Sequence, residues 1–458
     1  MIEEKGSFRD PAGSIYYLNQ KVFRKLSKEG EDRLKFITDN NILNESIKHQ
    51  YLIKTSILDK NDINHKFKDK LILEHEKIPF ISYPYEWSFS QLKSAALHHL
   101  NFHLYLLEKG ATLIDSSAYN IQFLGSKPIF IDVLSIKKYE EGEFWTGHKQ
   151  FCENFLNPLV LSSKKGINFN NWFKGNLEGI ETSEINKVLS FFDKFSYNIF
   201  VQIYLLDKLE KNAKKNKSLS LKKKKNKFPK KNFVLMLNQL KNFITSLKCK
   251  KNISLWQDYS DNNSYRTEEE NVKKNCVKHF CKNNKFNKFL DIGCNNGLYS
   301  NIALENDVDY VVGIDYDLNS IEDAFNQNEK YRSKFLPLYF DGSNPSPNIG
   351  WNNLERKSFN NRAMFDGLIA LAFEHHLAIA KNIPLKDVVE WIVSLAPKGL
   401  IEFVPKNDDT IKKMLEFKGD IFPNYTEENF QKFLQNKSKI VSSTKISNSG
   451  RIIYEYER

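Results

Sequence analysis

Seven short apolar runs follow one another through the second half of the chain, and helix-like segments separate most of them. The runs cover residues 288–292, 310–314, 335–340, 365–371, 400–404, 439–445 and 451–456. Strands that alternate with helices predict a parallel sheet. The last two runs leave no room for a helix between them, so they predict an antiparallel hairpin at the sheet edge. The sequence therefore predicts an α/β domain built on a seven-stranded sheet.

Acidic residues stand at the ends of the first three runs. The first run leads into Asp291-Ile-Gly-Cys-Asn-Asn-Gly297, directly before a helix-like stretch. Glycine suits a place where a ligand approaches the backbone, because a side chain would fill that gap. The second run ends in Asp315, which can accept hydrogen bonds from two ribose hydroxyls, and Asp341 after the third can meet an adenine amine. In the alternative, the glycines form only a tight turn and the acidic strand ends are coincidence.

Together these residues resemble a class I S-adenosylmethionine-dependent methyltransferase. The pattern Asp-x-Gly-x-x-x-Gly is that family's first motif and differs from the Gly-x-Gly-x-x-Gly of nicotinamide dehydrogenases. A seven-stranded Rossmann-like sheet with a closing antiparallel hairpin is also the family's topology. The resemblance covers about residues 255–458 and implies S-adenosyl-L-methionine as the cofactor. It implies these contacts: Asp291, Gly293, Asn295 and Gly297 around the methionine end, Asp315 at the ribose and Asp341 at the adenine.

The fourth run leads into Ala372-Phe-Glu-His-His-Leu377, where the family places residues that face the acceptor. Histidine suits removal of a proton from a hydroxyl or amine because its pKa lies near neutrality. We therefore expect His375 or His376 to be a catalytic base, with Glu374 beside it. In the alternative, both histidines only orient the loop and methyl transfer proceeds by positioning alone.

Two further stretches, 341–356 and 401–406, resemble a bacterial group of nodulation-protein-like methyltransferases. This resemblance implies that Glu402 and Lys406 lie beside the cofactor edge. It leaves Trp351 either as a wall of the acceptor site or as an ordinary core residue. The same group carries a related N-terminal half, so the resemblance extends over most of the chain.

The first half of the chain predicts a mixture of strands and helices. Ser14 to Leu26 predicts a hairpin that turns at Asn19-Gln20. A long helix is predicted from a cap at Ser88 or Ser90 to Gly110, because apolar residues recur at intervals of three or four. Two short runs, 120–123 and 128–133, predict a second hairpin, and residues 143–209 are mostly helical in character.

Asp115, Asn120 and Asp132 have the spacing of a kinase-like phosphotransferase. An Asp stands five residues before an Asn, and a second Asp follows the next apolar run. The resemblance implies an α+β domain in which Asp115 is the base while Asn120 and Asp132 hold magnesium at nucleotide phosphates. No Gly-rich phosphate loop is present, and the best strand lysine is Lys54. These departures favour a degenerate domain that binds a substrate or partner; a working kinase and an unrelated fold are the alternatives.

The positive charge is concentrated in one segment. The formal net charge is +12, and residues 211–231 contain eleven Lys and no acidic residue, so the rest of the chain carries about +1. This composition predicts a solvated linker. A nucleic-acid partner is therefore not expected; contact with RNA or an anionic membrane is the alternative. The predicted domains are 1–209 (kinase-like), 210–254 (Lys-rich linker and helix) and 255–458 (methyltransferase).

The remaining composition predicts a cytoplasmic protein. No run of 18 apolar residues exists, and the start lacks a secretion pattern. The five scattered cysteines predict reduced thiols and no metal site. The sequence thus predicts methyl transfer to an oxygen or nitrogen of a small-molecule or glycan-like acceptor. The alternatives are a bifunctional kinase and methyltransferase, and a cofactor-binding protein without turnover.

Overall fold

The computed structural model describes residues 2–18, 20–58, 71–215, 228–250, 267–327 and 330–458. The chain forms two compact units. The first comprises residues 1–123, 128–252 and 349–356, and the second comprises 124–127, 253–348 and 357–458. Within the described residues, no helix carries an apolar stretch long enough to cross a bilayer.

The first half of the chain is mixed α and β. Its strands are β1 (Ile2–Glu3), β2 (Gly13–Leu18), β3 (Lys21–Leu26), β4 (Thr55–Ile57), β5 (Ile72–His75), β6 (Ala111–Leu113), β7 (Ile121–Leu124), β8 (Lys127–Phe130) and β9 (Ile136–Lys138). Its helices are α1 (Lys28–Asp39), α2 (Ile42–Lys48), α3 (Phe89–Glu108), α4 (His148–Phe151), α5 (Asn157–Lys165), α6 (Asn170–Gly175), α7 (Thr182–Val188), α8 (Tyr197–Ile199), α9 (Leu206–Lys215) and α10 (Lys230–Ser246).

The first five strands form an antiparallel sheet in the order β1-β2-β3-β5-β4. The predicted hairpin from Ser14 to Leu26 is confirmed, with β2 and β3 paired in register. The predicted long helix is α3, and Ser88 caps it by accepting a hydrogen bond from the Gln91 amide. The second hairpin is also confirmed, because β7 and β8 form a two-stranded sheet.

Both ends of the lysine-rich segment are helical. Residues 211–215 belong to α9 and residues 230–231 begin α10, whereas 216–227 lie outside the described residues. The predicted linker and helix of 210–254 includes α10, which buries Phe233, Leu237 and Leu240 in the first unit. Apolar residues at helical spacing give α10 this buried face, so it belongs to the core and not to a spacer.

The second half of the chain has α/β architecture. Its strands are β10 (Lys288–Ile292), β11 (Tyr310–Asp315), β12 (Phe335–Tyr339), β13 (Gly367–Ala370), β14 (Lys398–Phe403), β15 (Lys439–Lys445) and β16 (Ile452–Glu457). Its helices are α11 (Thr267–Asn284), α12 (Leu298–Leu304), α13 (Leu318–Gln327), α14 (Phe359–Arg362), α15 (Leu385–Leu395), α16 (Asp409–Lys418) and α17 (Glu427–Gln435).

These strands form the predicted seven-stranded sheet, in the order β12-β11-β10-β13-β14-β16-β15. Every pair from β12 to β14 is parallel, and β14-β16 and β15-β16 are antiparallel. The order reverses at β10, because β11 lies on one side of it and β13 on the other. Such a reversal opens a crevice at the carboxyl ends of the strands, which is where open α/β sheets bind ligands.

Candidate functional site

The loop after β10 has a positive φ angle at two glycines. Gly293 and Gly297 have φ values of +77° and +86°, in the left-handed region that residues with a Cβ seldom adopt. A Cβ at Gly297 would lie 2.8 Å from the ring of Phe335, and one at Gly293 would lie 3.3 Å from the ring of Phe373. The turn therefore favours glycine at both positions, and the rings of Phe335 and Phe373 pack against it.

Asp315 links the first two strand ends. Its Oδ2 accepts a hydrogen bond of 2.9 Å from the Asn295 amide, and its Oδ1 accepts one of 2.8 Å from the Asp317 amide. Burial raises the pKa of Asp315, against the effect of these donors. The structure thus brings together Asn295 and Asp315, which are 20 residues apart in the sequence.

Asp291 lies beneath this loop. Its side chain is buried, and its Oδ2 accepts a hydrogen bond of 2.6 Å from the Ser300 hydroxyl. Burial, with a smaller contribution from the nearby charge of Asp315, raises its pKa to about 7 despite that hydrogen bond. Asp291 therefore supports the loop from below and is neutral over much of the acid range.

Asp341 caps the turn after β12. Its Oδ1 accepts hydrogen bonds from the amide and the hydroxyl of Ser343, at 2.9 and 2.6 Å. The sequence analysis missed Phe373, whose ring lies against the positions of both Gly293 and Gly342. An aromatic residue directly after the fourth apolar run was the available signal. Phe373 joins the loops of β10 and β12 as an apolar wall of the crevice.

Glu374 and the histidine pair follow β13 and lie in three different environments. Glu374 is buried, and its Oε1 accepts hydrogen bonds of 2.9 Å from the Val404 amide and the Tyr425 hydroxyl. Burial raises the pKa of Glu374 to about 6. His375 is also buried, and burial, assisted by the positive charge of Arg451, lowers its pKa to about 3. Neither ring nitrogen of His375 has a hydrogen-bond partner among the described residues.

His376 differs because part of its side chain reaches solvent. It begins a wide helical turn, His376–Ala380, and its ring centroid lies 4.2 Å from that of His375. Burial and the neighbouring His375 lower its pKa. Of the three residues predicted to be catalytic, His376 is the one that is not fully buried.

A surface cavity of about 250 Å³ lies beyond this helical turn. Ala378, Asn382 and Lys386 line one side of it, and Ile421 and Tyr425 line the other. The Tyr425 hydroxyl reaches Glu374, so one side chain joins the cavity to the buried carboxylate.

The residues of the two further stretches do not all lie where the resemblance implied. Glu402 is buried and forms ion pairs with Lys273 at 2.7 Å and Arg451 at 3.3 Å. Lys406 binds Asp420 at 2.7 Å. These charges are used for ion pairs that hold α11 and the loop after β14. Trp351 is 69% exposed, so its interpretation as a core residue is wrong.

A second group of polar residues lies in the first unit. The Asn120 amide donates a hydrogen bond of 3.0 Å to Asp115 Oδ2, and the Ser117 backbone amide donates one of 2.9 Å to Asp115 Oδ1. Burial raises the pKa of Asp115. The loop predicted from the Asp-x-x-x-x-Asn spacing therefore closes on itself through these two side chains.

Asp132 is bound by an arginine that the sequence analysis missed. Arg24 of β3 is 4% exposed and lies 2.6 Å from Asp132 Oδ1, and its other terminal nitrogen binds Asp10 in the loop between β1 and β2. Burial favours a raised pKa for Asp132, but the Arg24 charge and the Ser135 hydroxyl outweigh it and hold the pKa low. Lys54, the expected lysine, is exposed instead. No cluster of three or more His, Cys, Asp or Glu suited to a metal occurs within the described ranges.

No protein-family model matches the sequence. The nodulation protein NoeA of Rhizobium meliloti (strain 1021) is 40% identical over 457 residues, and the alignment covers 99% of this chain and 95% of that protein.

Several solved structures resemble part of the chain. N-methyltransferase NodS from Bradyrhizobium japonicum WM9, in complex with S-adenosyl-L-homocysteine, has a TM-score of 0.33 and 12% identity over 45% of this chain and 93% of that chain. Magnesium protoporphyrin IX methyltransferase from Synechocystis PCC 6803, with bound S-adenosylmethionine, has a TM-score of 0.30 and 16% identity over 42% of this chain and 80% of that chain. These likenesses are remote, and the interpretation of the site rests on its own residues.

Proposed function

Because the chain belongs to the family of nodulation protein NoeA, we propose that it uses S-adenosyl-L-methionine to methylate an oxygen or nitrogen of a small-molecule or carbohydrate-like acceptor. The observation that carries the proposal is the glycine turn after β10 held against Asp315 at the point where the strand order reverses. A turn with only a structural role does not need a carboxylate at the end of the next strand. A cofactor with an amino acid end and a ribose uses both the turn and the carboxylate.

The described residues suit this cofactor. The backbone at Gly293, Asn295 and Gly297 would receive its methionine end, above the buried Asp291. Each oxygen of Asp315 keeps a lone pair beyond its bond to a backbone amide, so the carboxylate can still accept from ribose hydroxyls. Asp341 would meet the adenine amine, and Phe373 supplies an apolar surface beside it. When bound, the cofactor supplies a methyl group already activated by its positively charged sulfur.

His376 is the residue best suited to receive the acceptor's proton. Transfer of a methyl group to an O–H or N–H forms a bond from carbon to oxygen or nitrogen and releases one proton. His376 is partly exposed and uncharged at neutral pH, because its pKa is lowered, so a ring nitrogen is free of a proton. His375 and Glu374 lie behind it in the core and act by positioning it.

The cavity lined by Asn382, Lys386 and Tyr425 is the candidate site for the acceptor. It combines amide, ammonium and aromatic groups, which suit a carbohydrate-like molecule that offers hydroxyls and apolar ring faces. Its lining residue Tyr425 donates a hydrogen bond to Glu374, which directly precedes the histidine pair, and this contact supports the assignment.

The first unit is a degenerate kinase-like domain in this proposal. Its elements follow the order of a kinase domain. A five-stranded antiparallel sheet with a helix after its third strand comes first, and a long helix, a loop with Asp115 and Asn120, a hairpin and Asp132 follow. In an active kinase the Asp at this last position holds magnesium. Here Asp132 and Asp10 are both paired with Arg24, which weighs against a metal-bound nucleotide.

The five cysteines are free thiols, which fits a reducing compartment, and a cytoplasmic location is part of the proposal.

Labelled turnover tests the proposal directly. Full-length protein is incubated with methyl-labelled cofactor and fractions of a cell metabolite extract, and a labelled product is expected from wild type and not from Asp315→Ala. His376→Ala should lower turnover by about 10² to 10⁴ while cofactor affinity in calorimetry changes little. Cofactor binding without product in any fraction would instead favour the non-catalytic alternative.

Magnesium-dependent ATP consumption tests the remaining alternative, a bifunctional kinase and methyltransferase. We expect none with or without acceptor, because Arg24 occupies the carboxylates. A phosphorylated product that is lost in both Asp115→Asn and Asp132→Asn would show that the chain is a bifunctional kinase and methyltransferase.

A further inference from the structure

Five aromatic side chains lie on the surface of the first unit within ten residues of sequence. They are exposed by 74, 80, 71, 64 and 43% at Phe191, Phe192, Phe195, Tyr197 and Phe200, respectively, and we call them the aromatic patch. The rings of Phe191, Phe192 and Phe195 contact one another, with centroids 5.0 to 6.4 Å apart. Single exposed apolar residues are ordinary, but a contiguous group of this size marks an interaction site.

The aromatic patch is held in place by its surroundings. Asp193 accepts hydrogen bonds from the amide and hydroxyl of Ser190 at 2.8 and 2.6 Å, and it pairs with Lys165 at 2.5 Å. Ile199 and Ile203 anchor the following turn in the core with no exposed surface. A surface that is fixed in this way loses little conformational freedom when a partner covers it.

The segment that carries the aromatic patch is almost free of charge. Between residues 189 and 206 the charged residues are Asp193 and Lys194, one of each sign. Asp193 pairs with Lys165, and the Lys194 Nζ lies 5.4 Å from the centre of the Tyr204 ring. Enrichment in aromatic residues together with depletion of charge is typical of the core of a protein–protein interface.

We propose that the aromatic patch joins two copies of this chain in a symmetric dimer. In such a dimer each copy presents the same surface to the other, so a patch with a net charge would repel its own copy. The segment 189–206 has one positive and one negative residue and avoids this repulsion. The inference goes beyond methyl transfer and does not depend on it.

The exposed area of the aromatic patch is large enough for a stable dimer. Given about 150 to 250 Å² for each aromatic side chain, the exposed parts of the five rings amount to about 500 to 800 Å² on one copy. Two copies would then bury about 1,000 to 1,600 Å² from these rings, which reaches the range of about 1,200 to 2,000 Å² for stable interfaces.

The ring geometry and the charge balance favour a second copy over a lipid surface. The Phe191 ring meets Phe195 and Phe192 edge to face, at interplanar angles of 81° and 72°. Aromatic rings prefer this same arrangement with one another, so two such groups can interlock across an interface. Membrane-binding surfaces instead place an excess of Lys and Arg beside their apolar face, and the segment 189–206 has none.

Analytical ultracentrifugation of the full-length protein tests the proposal. We expect wild type to sediment with twice the chain mass of 53.6 kDa, and the dimer to persist in about 0.5 M salt because apolar burial is not screened. The triple variant Phe191→Ala, Phe192→Ala, Phe195→Ala should raise the dimer Kd at least about a hundredfold. Phe192→Glu should dissociate the dimer as well, because a buried carboxylate would meet its own copy. Phe8→Ala and Met364→Ala are exposed controls and should dimerise like wild type.

Two results would overturn the proposal. The first is a wild-type monomer at about 50 μM, a concentration at which an interface of this size is expected to form. If that monomer bound phosphatidylcholine vesicles and the triple variant did not, the patch would belong to a lipid surface instead. The second is a wild-type dimer that both patch variants leave intact, because another surface would then join the copies.

Folding of the variants is checked separately. Their far-UV circular dichroism spectra should match wild type, because every change is at an exposed position. The melting temperature of wild type should also rise with protein concentration, whereas that of the triple variant should not, since association stabilises only the folded dimer.

Discussion

At the scale of single residues, Asp315 has two tasks, and one substitution removes both. It accepts hydrogen bonds from the amides of Asn295 and Asp317, and in the proposed complex it also accepts from ribose hydroxyls. Asp315→Ala should weaken cofactor binding at least about tenfold, because a charge-assisted hydrogen bond contributes about 1.5 to 3 kcal/mol. Calorimetry measures the change, and Asp309→Ala, an exposed Asp just before the same strand, is the control. Unchanged affinity in a folded variant would remove Asp315 from the ribose site.

Asp291 should make stability depend on pH in the direction opposite to that of most acidic residues. Its folded pKa of about 7 lies above the value of about 4 expected in the unfolded chain. Its contribution is therefore fully favourable below pH 4 and is lost as the pH rises through 7. Asp291→Asn keeps an acceptor for Ser300 and removes the buried charge, so it should stabilise the protein by on the order of a few kcal/mol at pH 8.

The stabilisation by Asp291→Asn should be smaller at pH 5, where the native carboxyl is already protonated. Thermal melts at the two pH values measure the difference, and a gain that is equal at both would show that burial does not raise this pKa.

Some of these residues were visible in the sequence and others were not. Asp291, Asp315 and Asp341 stand out because each follows an apolar run, and strand ends of a parallel sheet meet at one edge. Arg24 could not be found in this way, since its partners Asp10 and Asp132 are 14 and 108 residues away. The burial of His375 could not be predicted either. The sequence does not show which of two adjacent histidines faces the core, because that depends on the orientation of the helical turn that carries them.

At the scale of elements, the turn from β10 to α12 depends on Gly297. Gly297→Ala would place a Cβ at φ +86° and 2.8 Å from the Phe335 ring. Gly419→Ala is a matched control, because Gly419 has φ +73° but nothing within 4 Å of an added Cβ. Urea unfolding should show both to be destabilised by the backbone strain, with Gly297→Ala worse by about 1 to 3 kcal/mol. Equal losses would mean that the ring moves aside freely.

The strands and helices themselves were largely predictable from the sequence, but which elements pair or pack beside one another was not. All seven strand runs of the second unit and the hairpins of the first were recognised from apolar periodicity and turn residues. The order β1-β2-β3-β5-β4 was not, because antiparallel pairing between β3 and β5 depends on contacts that cross α1 and α2. For the same reason the linker and helix predicted for 210–254 did not indicate that the helix, α10, packs its buried face in the first unit.

At the scale of the whole molecule, the second unit includes a short segment from far earlier in the chain, residues 124–127. Within that unit the Ser126 hydroxyl donates to the Phe335 carbonyl at 3.0 Å, and the Ser126 amide donates to the Arg332 carbonyl at 2.6 Å. A fragment of residues 253–458 lacks these bonds. Its β12 amides should exchange hydrogen severalfold faster than in the full chain, at about 1 kcal/mol for each lost bond.

Ser126→Ala in the full chain is the graded control for this prediction, because it removes the hydroxyl bond and keeps the amide bond. Exchange in β12 should then fall between that of the wild type and that of the fragment. Identical exchange in fragment and full chain would show that residues 124–127 contribute nothing to the second unit.

The position of β16 also constrains when the seven-stranded sheet can close. β16 pairs with β14 on one side and β15 on the other, although it follows both of them in the chain. During synthesis β15 leaves the ribosome first, and it has no place in the sheet until residues 452–457 arrive. Until then the nascent chain exposes β14 as an open edge, which is the kind of surface that chaperones protect from aggregation. Closure of the sheet therefore waits until β16 has been synthesised.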